Sequence, residues 1–132
     1  AYLFFGDAHL VMGDGEIIGY GVEAAVNVEL KVDLIKGRKI GWPRIENDEY
    51  LMTLGMYRPL EDAFRIATKD MVLWIAEDYG LDMMDSYQLV SQVMKAEVSQ
   101  LVDPNYTILV KFPKKYLPEK KPVFGGMHDK LK

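Results

Sequence analysis

The 132-residue sequence contains no cysteine, which excludes disulfide staples, thiolate metal sites and cysteine nucleophiles. Any chemistry must use oxygen and nitrogen groups, and the chain suits a reducing compartment. It has no apolar run approaching the roughly 20 residues that span a membrane, although 49% of its residues are hydrophobic. It has no excess of positive charge either. The 16 Lys and Arg against 20 Asp and Glu give a net charge of −4, so nothing favours the phosphate neutralisation on which nucleic-acid affinity rests, and that partner is set aside. Internal repeats and low-complexity tracts are missing. The opening AYLFF carries no initiator methionine, basic segment or cleavage site, and reads as a strand entered in mid-course rather than as a signal peptide. These absences leave the expectation of a soluble, cytoplasmic protein with one sizeable core, since a chain of this length buries roughly 70% of its unfolded surface on folding.

What is present falls into three blocks. Val26 to Leu34 alternates without a fault, with Val26, Val28, Leu30, Val32 and Leu34 on one face and Asn27, Glu29, Lys31 and Asp33 on the other. That is the pattern of a half-buried antiparallel strand. Turn residues at Gly37, Gly41 and Pro43 lead to two strands, around Arg44 to Glu46 and Tyr50 to Leu54, joined through Asn47-Asp48. Pro59 then suits the first position of a helix, because its fixed φ is helical and its missing N–H would be unpaired there. Glu61 and Asp62 favour the positive end of the helix dipole. Leu60, Ala63, Phe64, Ala67, Met71, Trp74 and Ile75 recur every three or four residues and Gly80 can cap the end, so residues 59–79 are expected to form one amphipathic helix. Asp82, with Asp85 three positions on, opens a second helix to about Met94, with Met83, Tyr87, Val90 and Met94 inward. The methionines and aromatics of this pair read as core rather than as a binding box. Residues 96–102 and 106–112 are two further strands around the turn Asp103-Pro104-Asn105, and residues 118–132 read as a solvated tail. The expected fold is α+β, an antiparallel β-sandwich-like sheet with a helical pair inserted between strands, in one domain over residues 1–117.

The chemistry-bearing residues crowd into one stretch. Residues 6–16, GDAHLVMGDGE, hold Asp7, His9, Asp14 and Glu16 among three glycines, and the other histidine is the distant His128. Two readings compete. Asp14-Gly15 between apolar residues is a strong hairpin signal, and a two-residue turn there sets His9 opposite Tyr20 with Glu16 roughly 13 Å away along the ladder. A shared site instead needs ligand atoms within about 4 Å of one another. Asp7 and His9, two apart on a strand, can meet that condition. Asp14 and Glu16 can join them only if residues 10–16 leave the ladder and fold back, for which Gly13 and Gly15 supply the backbone freedom. Spacing alone leaves both readings open. No serine offers a rival nucleophile, because Ser86, Ser91 and Ser99 fall in expected helix or strand without a glycine-framed elbow.

This stretch and the segments after it resemble the acetamidase/formamidase family, whose members carry a block similar to GDAHLVMGDGEIIGYGVE at residues 6–23. VELKVDLIKGRKI, WPRIENDEYLMTLGM, LEDAFRIATKDMVLWIAEDYGL and VSQLVDPNYTILVKFPKKYL then come in the order expected of that family's C-terminal half, so the resemblance covers roughly residues 2–117. Two features depart from the family pattern. Met12 stands where glutamine is common, and Lys95 and Glu97 stand where the family tends towards an acid and a base. The family's chains are longer, and their N-terminal half has no counterpart in this sequence.

The resemblance implies hydrolysis of small linear amides, such as formamide and acetamide, to the carboxylate and ammonia. It implies a β-rich sandwich fold and a divalent metal, zinc first, with manganese or calcium as alternatives. Carried over residue by residue, it points to His9, Asp7 and Glu23 as metal ligands and to Glu16 and Asp14 as catalytic carboxylates, in a loop shaped by Gly6, Gly13 and Gly15. It favours the folded-back loop over the plain hairpin. It also implies a homo-oligomer, or a second polypeptide that supplies the missing half. The alternative is a non-catalytic, metal-stabilised sandwich module for binding or assembly, which ammonia release from simple amides would distinguish.

Overall fold

The computed structural model describes residues 4–119. Its core is a four-stranded antiparallel sheet of β1 (Arg44–Glu46), β2 (Tyr50–Tyr57), β3 (Lys95–Gln100) and β4 (Tyr106–Pro113), in the spatial order β1-β2-β4-β3. Two helices, α1 (Leu60–Tyr79) and α2 (Met83–Val93), are inserted between β2 and β3 and form the second layer. The α+β class and the helical pair between strands are as expected, and the sheet is open.

Local chemistry explains the elements. Asn47 turns β1 into β2 by accepting the backbone N–H groups of Glu49 and Tyr50 at 2.9 and 2.8 Å, the turn that asparagine side chains favour. β2 and β4 pair from Tyr50↔Pro113 to Tyr57↔Tyr106. Two-residue alternation puts Leu51, Thr53 and Gly55 of β2 beside Ile108, Val110 and Phe112 of β4 on the helix side, all of them buried. Onto this surface α1 lays Ala63, Ala67, Met71, Trp74 and Ile75, with Leu60 and Phe64 partly buried at its margin. Small residues set the approach, and the Thr53 hydroxyl donates to the Ala67 carbonyl at 2.8 Å. Gly80 ends α1 in the left-handed conformation, φ 66°, with its N–H on the Ala76 carbonyl. Asp82 caps α2 by accepting the Met84 N–H at 2.7 Å.

The phase of α2 differs from expectation. Ser86 and Val90 are buried and Leu89, Val93 and Met94 partly so, whereas Met83 and Tyr87 are exposed. The Gly80 turn and the Asp82 cap fix where the helix starts, and that start directs Ser86 and Val90, four residues apart, at α1. Met83 and Tyr87, also four apart, fall on the neighbouring strip and line a shallow groove with Phe64 and Val72.

Polar contacts fasten residues 38–44 to α1. Arg44 makes paired hydrogen bonds to Asp70 at 3.0 and 2.8 Å and lies over the Trp74 ring, 5.1 Å from its centroid. Trp74 Nε1 donates to Asp78 at 2.8 Å, and Arg38 reaches Glu77 and Asp78 at 2.7 and 2.8 Å. On the far side of the sheet Glu97 pairs with Lys111 rather than with Lys95, and Lys95 stands opposite Lys111 in register.

The strand expected at residues 26–34 belongs to no sheet among the described residues. Its five apolar residues are 51% to 75% exposed, and Val26 to Leu34 form no backbone–backbone hydrogen bond with the described residues, Leu34 N–H donating instead to the Asp33 carboxylate at 2.7 Å. Alternation encodes a strand with an apolar neighbour, and that neighbour is not among the described residues. Phe4 and Phe5, from the expected opening strand, are exposed and outside any strand. Ala1 to Leu3 and, in the expected tail, residues 120–132 lie outside the described residues. Among the described residues no helix is long and apolar enough to cross a membrane.

Candidate active site and metal centre

The stretch around His9 is neither a regular hairpin nor an open loop. Leu10 N–H donates to the Val22 carbonyl at 2.8 Å, Val22 N–H to Val11 at 2.7 Å and Ala24 N–H to Ala8 at 3.0 Å. His9 therefore faces Glu23, not Tyr20, and residues 12–21 leave the ladder. Within that excursion Asp14–Glu16 form a 3-10 turn, in which Glu16 N–H donates to Gly13 at 3.1 Å and Gly19 N–H to Glu16 at 2.8 Å. Gly15 sits at φ 81°, a conformation glycine adopts freely. Asp7 at φ 55° and Glu16 at φ 45° have no such freedom, and strain of about 1–3 kcal/mol at such residues persists only where the surroundings impose it. For Glu16 one such restraint is visible, because Leu101 N–H, just past β3, donates to the Gly15 carbonyl at 2.8 Å and pins the turn to the sheet.

The folded-back loop brings three carboxylates to one imidazole. His9 Nε2 lies 2.7 Å from Glu23 Oε1, 3.8 Å from Asp7 Oδ1 and 3.9 Å from Glu16 Oε1. Even a protonated ring leaves that group net negative, a repulsion that a divalent cation would relieve. Asp7, His9 and Glu23 each offer one ligand atom, all within 4.8 Å of one another. Bonds of 2.0–2.2 Å around a tetrahedral zinc hold ligand atoms about 3.3–3.6 Å apart, so this donor set fits such an ion after small side-chain shifts. The site has a floor and a rim. The side chains of His9 and Glu16 are 12% and 13% exposed, those of Asp7 and Glu23 86% and 57%. Asp14, exposed at the start of the 3-10 turn, stands outside the three-donor group and is not among the carboxylates within 4 Å of the His9 ring.

With this geometry in view, comparison with known structures is informative. The acetamidase of Yersinia enterocolitica is 46% identical to this chain, superposes with a TM-score of 0.82 and is matched over 86% of this chain and 34% of its own. The acetamidase of Bacillus halodurans is 35% identical, with a TM-score of 0.74 over 82% of this chain and 37% of its own. The chain belongs to the acetamidase/formamidase family. A predicted acetamidase/formamidase from Thermoanaerobacter tengcongensis is 34% identical, with a TM-score of 0.74 over 81% of this chain and 36% of its own. The chain thus spans about a third of the length of these acetamidases, where the resemblance led one to expect about half. No protein-family model and no curated protein matches it.

One residue of the candidate site in this acetamidase/formamidase chain is not evident from sequence. A Cβ at Gly21 would lie 2.5 Å from Cδ2 and 2.9 Å from Cγ of His9, and 3.0 Å from the Val11 carbonyl oxygen. Gly21 is the wall that the imidazole leans on. The only hint in the sequence is a glycine near the end of the GEIIGYGVE run, and its meaning depends on the cross-strand register, which the Asp-Gly signal misplaced. Gly21→Ala is expected to push the ring off Glu23 and, if the Asp7, His9 and Glu23 group takes zinc, to weaken its uptake about 10- to 100-fold, the cost of losing support around a ligand. Competition with a zinc chelator measures this, and unchanged affinity would show that the ring does not need that wall.

Proposed function

We propose that this chain carries the hydrolytic site of an acetamidase/formamidase acting on small linear amides such as formamide and acetamide. His9, Asp7 and Glu23 hold a divalent cation, zinc ahead of manganese or calcium, and Glu16 moves the proton. The observation that carries this reading is the convergence of Asp7, Glu16 and Glu23 on His9 in a chain similar to named acetamidases.

An amide resists hydrolysis because its carbonyl is weakly electrophilic and its nitrogen a poor leaving group. When bound, the cation would lower the pKa of a water and polarise the carbonyl. The protein groups supply the rest. Glu23, across the short ladder, orients the His9 ring, and Gly21 backs it. Glu16 is pinned through Gly15 within about one water's reach of that ring, where its carboxylate can accept a proton from the attacking water and return it to the departing nitrogen. Asp14 contributes through the backbone, opening the turn that presents Glu16. Glu16 and the floor of the site are shielded, which strengthens their electrostatics, while the exposed rim of Asp7 and Glu23 awaits cover from the rest of the enzyme, whether a further copy or a second polypeptide.

Elemental analysis and thermal melting test the cation. An ion that binds only the folded state stabilises it by about 2.7 kcal/mol at a hundredfold excess over Kd, so EDTA should lower the melting temperature by roughly 5–15 °C and zinc or manganese should restore it. An identical melting curve with and without EDTA, together with no metal by elemental analysis, would remove the cation from this account. Ammonia release from formamide and acetamide by the assembled enzyme tests the reaction.

A further inference from the structure

We infer that Gln100 is a positioning residue for Glu16, its side-chain amide donating an Nε2–H to the Glu16 carboxylate and holding it at the His9 site. The contact itself stands on structure alone. Its effect on turnover rests on the proton role proposed above for Glu16.

The Gln100 amide is buried and idle. Its Oε1 and Nε2 are both shut off from solvent, and neither has a hydrogen-bond partner among the described residues. Buried polar groups left in that state cost stability, so an amide unpaired at both ends calls for a partner. Protein outside this chain is poorly placed to supply one, since whatever already closes over the amide would have to move first. The partner is to be sought in the chain itself.

The backbone narrows the choice. β3 carries a bulge between Val98 and Gln100, so that Val98 stands opposite Ile108 and Gln100 opposite Thr107, with Ser99 as the extra residue. Without Ser99 in excess, Gln100 would share the helix-side face of Val98. With it, Gln100 is turned to the other face, the re-aiming of a side chain for which bulges near functional sites are used. The elements packed on β3 are chiefly β4 and the Asp14–Glu16 turn.

One bond ties that turn to the end of the strand, from Leu101 N–H to the Gly15 carbonyl at 2.8 Å. Gln100 directly precedes this N–H and Glu16 directly follows this carbonyl, so standard peptide dimensions keep their Cα atoms within about 8 Å of each other. Two side chains of this length can meet across such a gap. Glu16 has a use for the donor, because its side chain is 13% exposed and its Oε1 stands 3.9 Å from His9 Nε2, too far for a hydrogen bond. Asp14, the other carboxylate of the turn, is exposed and has water to pair with. A bond from the neutral Gln100 amide to the Glu16 carboxylate is charge-assisted, and it fixes the carboxylate without adding a charge beside His9.

Nitrogen–proton NMR of the 132-residue chain reads the contact directly. One Gln100 Nε2 proton is expected downfield of an ordinary glutamine amide, and Glu16→Gln should move it back as the charge assistance is lost. Turnover reads the role. In the assembled enzyme Gln100→Met, similar in length and without the amide, should lower kcat on formamide about 10- to 100-fold, the usual loss when the support of a functional group is removed, and change KM less than about threefold. In a Glu16→Gln background the same substitution should cost less than about twofold, because a residue that acts through Glu16 then has nothing left to position. Circular dichroism checks that Gln100→Met is folded, and the NMR comparison decides by itself if it is not. A Gln100 amide indifferent to Glu16→Gln, wild-type kcat in Gln100→Met, or an equal loss in both backgrounds would overturn the inference. A shifted Gln100 proton in an enzyme that releases no ammonia would overturn the functional reading alone, and ammonia release that depends on Glu16 but not on Gln100 would overturn the positioning role alone.

Discussion

Glu16→Gln in the assembled enzyme is expected to lower ammonia release from formamide by about 10²- to 10⁴-fold, the contribution of a positioned general base, and to leave fold and metal content unchanged. The argument is geometric. Glu16 Oε1 lies 3.9 Å from His9 Nε2, near enough to share a water held there, but Glu16 stands outside the group of Asp7, His9 and Glu23 whose ligand atoms converge. Glutamine keeps the size and hydrogen-bonding reach of the side chain and cannot take a proton. His9→Ala should behave differently, losing metal and activity together, so elemental analysis separates the two variants. The backbone gives a third arm. Glu16 is held at φ 45°, a cost that glycine does not bear, so Glu16→Gly should match Glu16→Gln in lost activity while melting at the same or a higher temperature. That is the pattern of a strained residue retained for chemistry. A Glu16→Gln enzyme with wild-type turnover would transfer the proton role to another carboxylate, with Asp7 and Glu23 next in reach of the ring.

How much of the fold was legible in the sequence depends on how local each determinant is. α1 was readable almost to the residue, because the three-and-four spacing of Ala63, Ala67, Met71 and Trp74 and the Gly80 cap lie within the helix or one residue beyond it, although Pro59, expected as its first position, precedes it as an extended N-cap. The two hairpin turns, at Asn47-Asp48 and at Asp103-Pro104-Asn105, were legible for the same reason. The phase of α2 was not, because an amphipathic strip with Met83 and Tyr87 competes with one through Ser86 and Val90. The choice is made by the turn that seats the helix on α1, and the small Ser86 fits that contact where Tyr87 would not.

The site was partly legible. Asp7, His9 and Glu16 stood out by residue type, but their convergence depends on a loop spanning residues 12–21, and the strongest local signal, Asp14-Gly15, argues for a hairpin with His9 and Glu16 far apart. The tertiary bond from Leu101 N–H to Gly15, made between residues more than eighty positions apart in sequence, helps to hold the alternative. Val26 to Leu34 shows the opposite case. Its alternation has the strand pattern, but the partner it is written for is not among the residues described, so the pattern is intact and the pairing is not.

Gly55→Ala is expected to destabilise the chain by about 3 kcal/mol or more, at or above the top of the range for overpacked cores and a large part of the 5–15 kcal/mol that holds an ordinary domain together. Gly55 lies on the helix side of β2, and a Cβ there would overlap the Ala63 carbonyl oxygen, 2.8 Å from the Ala63 carbonyl carbon and 2.9 Å from the Ala67 nitrogen. Every one of these atoms is helix backbone, so no side chain can rotate out of the way. β2 cannot retreat either, since β4 pairs along its whole length and β1 along part of it. Relief requires α1 to lift, and lifting it breaks the Thr53 hydroxyl bond to Ala67 and opens the layer of Leu51, Met71, Ile75, Val110 and Phe112. Urea unfolding measures the loss, with Gly41→Ala as the control. A Cβ at Gly41 meets nothing within 4 Å and its φ is not positive, so that variant should stay within about 0.5 kcal/mol of the parent. Wild-type stability in Gly55→Ala would mean that α1 does not rest on β2 at this distance. The same helix carries Asp70, Glu77 and Asp78, so that result would also loosen the Arg38 and Arg44 contacts.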